Sequence, residues 1–473
     1  MSGLPDPQLR HDRTPDDALA QIAAFDGDLL LDLDETLYLR NSTEDYLDSA
    51  SPGFIAYVLL RLLDVLKPWR NRGGPVARDW WRLRLVNLLF PWTRARWQRR
   101  VTALAAGSAN APLIAALRGS NARVTIVTAG FAPVVTPLIA ALGFADAPLI
   151  AASASSPDDR VRGKLAMAID ALGEARVRAS MVVTDSRDDQ PLLDHCAAPL
   201  RTLWPDARYR HAFSRVYVPG RYLNEVKRPG QRYIVRGILQ EDFAFWVLAS
   251  ITGAGMPVLH VLGLLALLIS FWAIYERGYV DNDHAARDYE HDPRLSSTFG
   301  HVEVATPAIT PWLWAAGTGA IAIVLLRWPA PPAAADFGLW GLTLVASYAL
   351  FKIYNRLDKG TRIWLFPGLQ LARSASFVAL VPIGVAASLA LGAHVIARWV
   401  PYYLYRIGNQ EWPEAPFFLS RLMFYLLLWL MMVFTQGHES VLTPTALALM
   451  GWNIFRARRD LTHLFRDARR IDR

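Results

Sequence analysis

From about residue 243 onward the sequence carries apolar runs longer than the core of a water-soluble domain requires. Residues 256–275, 308–326, 339–354, 374–397 and 417–435 each approach the ~20 residues that cross the hydrocarbon core of a bilayer. A weaker run, 232–250, is interrupted by Arg236, Glu241 and Asp242, and 441–455 is short for a span. These runs predict an all-α polytopic membrane domain over 232–455, with about seven helices and eight possible. Residues 1–215 behave differently. They alternate short apolar runs with polar turns and contain no apolar stretch of membrane length, which predicts a separate α/β domain. Residues 216–231 read as the linker and 456–473 as a basic tail.

Charge sets the expected orientation. No apolar signal segment is visible at the start, so the N-terminal domain is expected in the cytoplasm. The stretches 214–232, 276–304 and 355–362 hold most of the Lys and Arg and are expected inside, with 328–337 and 409–414 outside. The tail has seven Arg against three Asp and is also expected inside, which favours eight spans at the inner, cytoplasmic membrane. The net charge of +8 comes mainly from Arg, which suits phosphate or anionic lipid. The expected partners are a phosphorylated small molecule or lipid-linked phosphate and membrane lipid, with no nucleic acid. A single cysteine, Cys196, excludes a disulfide framework and a Cys-based zinc site.

In the first half, residues 27–37 read GDLLLDLDETL. Leu29 to Leu31 predict a buried parallel strand with Asp32 and Asp34 just past its carboxyl end. Two carboxylates so close in apolar surroundings need a cation or a shared proton. Residues 124–127 predict a strand leading into Thr128, and 181–183 one leading into Asp185. Lys164 opens a helical stretch over 164–172. In an open α/β sheet the strand carboxyl ends gather at one crevice, so these residues are expected to converge.

This set resembles the haloacid-dehalogenase-like (HAD) phosphotransferase superfamily over roughly residues 26–200. DxDxT is present as Asp32-Leu33-Asp34-Glu35-Thr36, followed by Thr128 in VTIVTAG, Lys164 in RGK, and Asp185 with Asp189 in TDSRDD. The resemblance implies a Rossmann-like fold and a Mg²⁺-dependent phosphomonoesterase. Asp32 would be the nucleophile and Asp34 the general acid and base. Thr128 and Lys164 would hold the phosphoryl group. Asp32, Asp34, Asp185 and Asp189 would form the metal site, with Asp189 supporting either the metal shell or Lys164. The DKTGT sequence of P-type ATPases, which share the nucleophile logic, is absent.

About 87 residues separate Thr36 from Val124, too many for a loop in a compact domain, so a helical cap is expected over about 40–117. Within 67–100 lie ten basic residues and one acid, Asp79, interleaved with Trp69, Trp80, Trp81, Trp92 and Trp97. Two readings stand open. The Trp and Arg residues could sit at a membrane interface, or the Trp residues could form the cap's own core.

In the second half, residues 275–295 place Asp281, Asp283, Asp288, Glu290 and Asp292 within 12 residues of one another, in a loop expected at the membrane surface. If helical, Asp281, Asp288 and Asp292 share a face. The half resembles UbiA-type intramembrane prenyltransferases, with which HAD-like domains are known fused. Arg228-Pro229 stands at that family's RP element and Asn282-Asp283 at NDxxD. Tyr348-to-Asp358 resembles its second polar motif. Ala286 replaces the second Asp of NDxxD, Glu290 stands at the third acidic position, and Asp358 alone represents the second acidic cluster. The resemblance implies Mg²⁺ and a diphosphate held by Asn282, Asp283, Asp288, Asp292 and Asp358. Lys352, Arg362 and Arg373 would hold phosphate oxygens while a prenyl or phosphosugar group is transferred. A membrane half acting only as anchor, lipid-binding or transport module is the alternative.

Overall fold

The computed structural model describes residues 11–291, 293–300, 302–408, 415–439 and 442–467. Asp292, the segment 409–414 expected outside, and the last residues of the basic tail lie outside the described residues. The chain divides into two compact units, Met1–Val216 and Tyr217–Arg473.

The first unit opens with α1 (Pro15–Ala23), whose start is capped by the Thr14 hydroxyl, and β1 (Asp28–Leu31). The cap follows as α2 (Ser42–Leu47), α3 (Gly53–Leu66), α4 (Arg78–Leu89), α5 (Thr93–Ser108) and α6 (Ala111–Gly119). The chain then returns through β2 (Arg123–Phe131), α7 (Ala132–Ala141), β3 (Leu149–Ala152), α8 (Asp158–Leu172), α9 (Glu174–Ala179), β4 (Met181–Thr184), α10 (Gln190–His195) and β5 (Ala198–Arg201). The five strands form one parallel sheet in the order β3-β2-β1-β4-β5. β1 is central because its side chains are apolar on both faces. Leu29 and Leu31 pack with Ile126, Val183 and the cap residues Trp80 and Trp97, while Leu30 packs with Val127, Val182, Ala168 and Leu193 beneath. Parallel sheets need this two-sided cover.

The cap's tryptophans settle which open reading holds for most of them. Trp80 and Trp97 are fully buried, Trp69 is buried and Trp81 half-buried; Trp92 is exposed. The indole N–H of Trp80 donates to the Ala154 carbonyl and that of Trp97 to the Val134 carbonyl, both at 3.0 Å. These rings join cap to sheet domain instead of facing lipid.

The second unit starts with two short wide helical turns, Leu223–Lys227 and Ile234–Phe243, the latter running into α11 (Ala244–Ser250). It continues as α12 (Pro257–Tyr289), α13 (Thr310–Arg327), α14 (Ala334–Arg356), α15 (Arg362–Ala375), α16 (Val385–Gly408), α17 (Phe417–Gln436) and α18 (Pro444–Asp467). Four of these, α12, α13, α14 and α17, are long and apolar enough to cross a membrane, against the seven or eight spans expected. Two differences have plain causes. The run 374–397 is not one helix: α15 ends at Ala375, and Pro382, which cannot donate a helical hydrogen bond, precedes the new start at Val385. The expected loop 276–304 is helical as far as Tyr289, for no proline interrupts 258–292. The buried Glu276 also anchors this extension, accepting from the backbone N–H groups of Gly220 (2.9 Å) and Leu223 (2.8 Å). The basic tail likewise continues α18 to Asp467.

Candidate active site

Strand register brings the motif residues of the first unit together. Leu31 pairs with Ile126 on one side and Val183 on the other, and the Asp32 N–H extends the ladder to the Val183 carbonyl at 2.9 Å. Asp32 and Asp185 therefore lie just past the ends of β1 and β4, beside Thr128 within the longer β2. Lys164 arrives by a different device. Gly163 adopts φ 83°, open to glycine at little cost, and breaks α8 so that a fresh helical turn starts at Lys164.

The Lys164 ammonium lies 2.7 Å from Asp32 Oδ1 and 2.8 Å from Asp189 Oδ2. The Thr184 hydroxyl donates to Asp189 Oδ2 at 2.5 Å and lies 3.0 Å from Asp32 Oδ2. Asp189 is thus engaged by Lys164 and Thr184, a place from which it steadies the lysine. Asp34 is held by the first residue of α2: Oδ1 accepts from the Ser42 N–H at 2.7 Å and Oδ2 from the Ser42 hydroxyl at 3.0 Å. The Thr36 hydroxyl donates to Asp185 Oδ1 at 3.2 Å.

Burial dominates the electrostatics. It raises Asp32 to about 7, helped by the charges of Asp189 and Asp185 and opposed by Lys164. It raises Asp34 to about 7 against the Ser42 hydrogen bonds. Asp185 is raised to about 6 by burial and the neighbouring Glu35 charge. For Lys164 burial would lower the value, but Asp32 and Asp189 outweigh it and hold the ammonium charged. Four crowded carboxyl groups at one crevice, Asp32, Asp34, Glu35 and Asp185, are the environment a hard cation relieves. Among the described residues no group of three carboxylate, histidine or cysteine side chains is arranged to hold a metal. Asp32 and Asp185 supply two such oxygens. That suits Mg²⁺, which commonly keeps one or two carboxylates and fills its shell with water and phosphate.

Two residues of this site carry no motif signal. Ser42 orients Asp34, and Gly130 closes the floor. A Cβ on Gly130 would lie 2.6 Å from Val135 Cγ1, 3.2 Å from Thr128 Oγ1 and 3.3 Å from Ser42 Oγ. The bare backbone leaves space between the two hydroxyls, and the Gly130 N–H donates to Thr128 Oγ1 at 3.0 Å.

Residues 29–194 match the model of the family haloacid dehalogenase-like hydrolase. That segment is a HAD-like hydrolase domain. No curated protein and no solved structure matches the chain. No family match covers the second unit, so the UbiA-like expectation rests on its motifs alone.

In the second unit the structure divides the expected residues. An open cavity of 760 Å³ is lined by Asp281, Glu290, Lys352, Asn355, Arg356, Asp358, Lys359 and Arg362 among others. Lys352 pairs with Asp281 at 2.7 Å, and Arg362 (2.5 Å) and Lys359 (3.3 Å) pair with Glu290. Asn282 donates to Asn355 Oδ1 at 2.9 Å at its edge. Asp283 does not line it; its carboxylate is buried against the Tyr222 hydroxyl (2.9 Å) and Lys227. Asp288 is exposed beside Arg287. Asp358 folds back on the N–H groups of Gly360 and Thr361. The expected set Asn282, Asp283, Asp288 and Asp358 does not meet as one cluster, because α12 remains helical there and successive residues point ~100° apart. Arg373 also lies elsewhere: it is buried, paired with Asp242 at 2.8 Å and donating to the Tyr233 hydroxyl at 2.7 Å. Lys359 and Asn355 are not among the residues the resemblance singles out, although Asn355 lies within the Tyr348-to-Asp358 motif and Lys359 directly follows it.

Proposed function

We propose that the first unit hydrolyses phosphate monoesters and that the second binds a lipid-linked phosphate or diphosphate. The observation that carries the first part is the convergence of Asp32, Asp34, Thr128, Lys164 and Asp185 at adjacent strand ends. Asp32 attacks phosphorus, forming a carboxylate O–P bond as the ester P–O bond breaks, and Asp34 gives its proton to the departing oxygen. Asp34 then accepts a proton from the water that cleaves the acyl phosphate. The Ser42 hydrogen bonds hold Asp34 for both transfers, while Thr128 and Lys164 balance charge on the phosphoryl oxygens. Asp32 and Asp185 would hold Mg²⁺, which supplies further charge neutralisation at phosphate.

For the second unit, the cavity lined by Lys352, Arg356, Lys359 and Arg362 supports capture of a phosphorylated headgroup. Transfer of a prenyl or phosphosugar group to or from polyprenyl phosphate is the finer reading, with the unit in the inner membrane and the HAD-like domain cytoplasmic. A tethered phosphatase would meet a product released at that membrane face at ~millimolar effective concentration. The engagement of Asp281 and Glu290 in ion pairs favours the second reading, in which the membrane unit anchors the hydrolase without transferring anything.

Phosphate release by the full chain in detergent, with and without Mg²⁺, tests the first part. Asp32→Asn is expected to abolish turnover of soluble sugar phosphates and short polyprenyl phosphates alike. Turnover surviving in Asp32→Asn would refute the nucleophile. For the membrane unit, Lys352→Ala with Arg362→Ala is expected to abolish lipid-linked product while leaving sugar-phosphate hydrolysis intact. An anchor would lose neither.

A further inference from the structure

The cap helix α3 breaks the usual rule for a soluble surface. Its sequence, GFIAYVLLRLLDVL, has one acidic and one basic residue in 14. Ala56 and Leu60 are buried against the domain. Ile55, Val58, Leu62, Val65 and Leu66, spaced three, four, three and one apart, share an arc of ~100° on the helix and remain between 45% and 76% exposed. Trp92, 48% exposed, extends the patch: its indole N–H donates to the Ser51 carbonyl at 2.8 Å, just before the start of α3. A contiguous apolar face of this kind marks a binding surface.

The charges around it identify the occupant. Lys67, Arg70 and Arg72 follow the end of α3 directly, and Arg94 and Arg96 follow Trp92; all but Lys67 are exposed. The one acid between residues 67 and 100, Asp79, is already paired with Arg82 and Arg160 at 3.0 Å. An apolar helical arc fringed by cations and an aromatic residue matches the acyl and headgroup layers of an anionic bilayer. Among the described residues four helices are long and apolar enough to cross a membrane, so such a surface would be at hand.

We propose that the exposed face of α3, with Trp92, inserts into the interfacial layer of an anionic lipid membrane, seating the cap of the hydrolase domain on the bilayer. Insertion of such a helix reaches ~5–10 Å, to the boundary of headgroups and acyl chains. The inference depends on the membrane reading of the chain and not on the phosphatase reading, since its primary readout is optical.

The experiment uses the full chain in nanodiscs containing phosphatidylglycerol. Cys196, the sole native cysteine and buried, is changed to Ser, and an NBD label is placed at Leu62→Cys or, as control, at Glu174→Cys on α9. Expected is a blue-shifted Leu62 label whose fluorescence is lost with shallow doxyl-labelled lipids, beside an unquenched control. A red, unquenched Leu62 label would overturn the proposal. So would a blue-shifted label insensitive to doxyl lipid, which would mean that protein covers α3. Equal quenching of both labels would also overturn it. As a second arm, Val58→Glu with Val65→Glu alters only exposed positions. It is expected to abolish quenching at Leu62 and reduce turnover of polyprenyl phosphate in nanodiscs, with sugar-phosphate turnover unchanged. Retained quenching in that variant would also refute the proposal.

Discussion

Gly130→Ala separates two effects that usually travel together. The added Cβ meets Val135 Cγ1 at 2.6 Å, a distance real Cβ atoms do not tolerate, and Val135 is fully buried in the main core. Overpacking of this type costs about 1–3 kcal/mol. For a unit of this size 2 kcal/mol lowers the unfolding midpoint by roughly 4–8 °C. The same Cβ stands 3.2 Å from Thr128 Oγ1, proposed to hold the phosphoryl group, and 3.3 Å from Ser42 Oγ, which holds Asp34. Displacing a positioning hydroxyl by an ångström costs ~10²-fold in rate, so kcat/KM for phosphate release is expected to fall by about that factor. Adding Val135→Ala removes the core clash. In that background Gly130→Ala is expected to be near neutral for stability, a coupling of about 1 kcal/mol or more in the double-mutant cycle. Activity is expected to stay low, because the crowding of Thr128 and Ser42 remains. Thermal unfolding and phosphate release on the four proteins decide the matter. Activity that recovers together with stability, or a Gly130→Ala enzyme with normal kcat/KM, would refute the roles given to the Thr128 and Ser42 hydroxyls.

Two further predictions follow from the carboxyl environments. Asp34, raised to about 7 by burial, donates its proton below that pH and loses it above, so kcat/KM for alkyl phosphates should decline through pH 7. Asp34→Asn should abolish that limb and slow alkyl phosphates ~10²–10⁴-fold, with aryl phosphates, whose leaving groups need no proton, affected far less. Glu44, buried in α2, forms a bidentate pair with Arg82 at 2.5 and 3.0 Å and accepts from the Ala212 N–H at 2.7 Å. Burial alone would raise its value, but Arg82 more than offsets that and holds it at about 2 against an ordinary 4.5. Its stabilisation is therefore fully present above pH 4.5 and lost as pH falls toward 2. Glu44→Gln leaves the buried Arg82 with the half-buried Asp79 as its remaining ion partner and should destabilise the unit by about 3 kcal/mol at pH 7, in denaturant titrations that also show a flatter response between pH 4.5 and 2.

The readable part of the site was the part fixed by strand ends. Asp32, Thr128 and Asp185 follow runs of buried aliphatic residues, and parallel pairing places such positions at one level whatever the connections do. Ser42 and Gly130 were not readable, because their roles depend on where the cap re-enters the sheet domain and how far β2 continues past Thr128. The cap's composition left the interfacial and the core readings open. Trp80 and Trp97 find carbonyl partners inside the protein, which local sequence cannot reveal, whereas the plain aliphatic helix α3 carries the exposed face. In the second unit a spacing argument needed a known secondary structure. Asp281 lines the cavity and Asp283, two residues on, is buried against Tyr222, a division that only the continuous helix imposes.

The ion pairs of Lys164 give Asp189 a place in the proposed mechanism. In the structure Lys164 is shared between Asp32 and Asp189 at nearly equal distances. Were Asp32 to become an acyl phosphate, as proposed, its carboxylate charge would move to the phosphoryl oxygens, and the pair with Lys164 would no longer hold the ammonium where it was. A buried ammonium left with no partner would be strongly disfavoured. Asp189, itself fixed by the Thr184 hydroxyl, takes no part in that change. It keeps the lysine anchored on one side while the other side exchanges Asp32 for phosphate. Thr184, the last residue of β4, touches both carboxylates and ties the two sides of the lysine to the same strand end. In the proposed mechanism the acidic residue four positions after Asp185 is therefore the fixed end of a lever whose free end is the lysine.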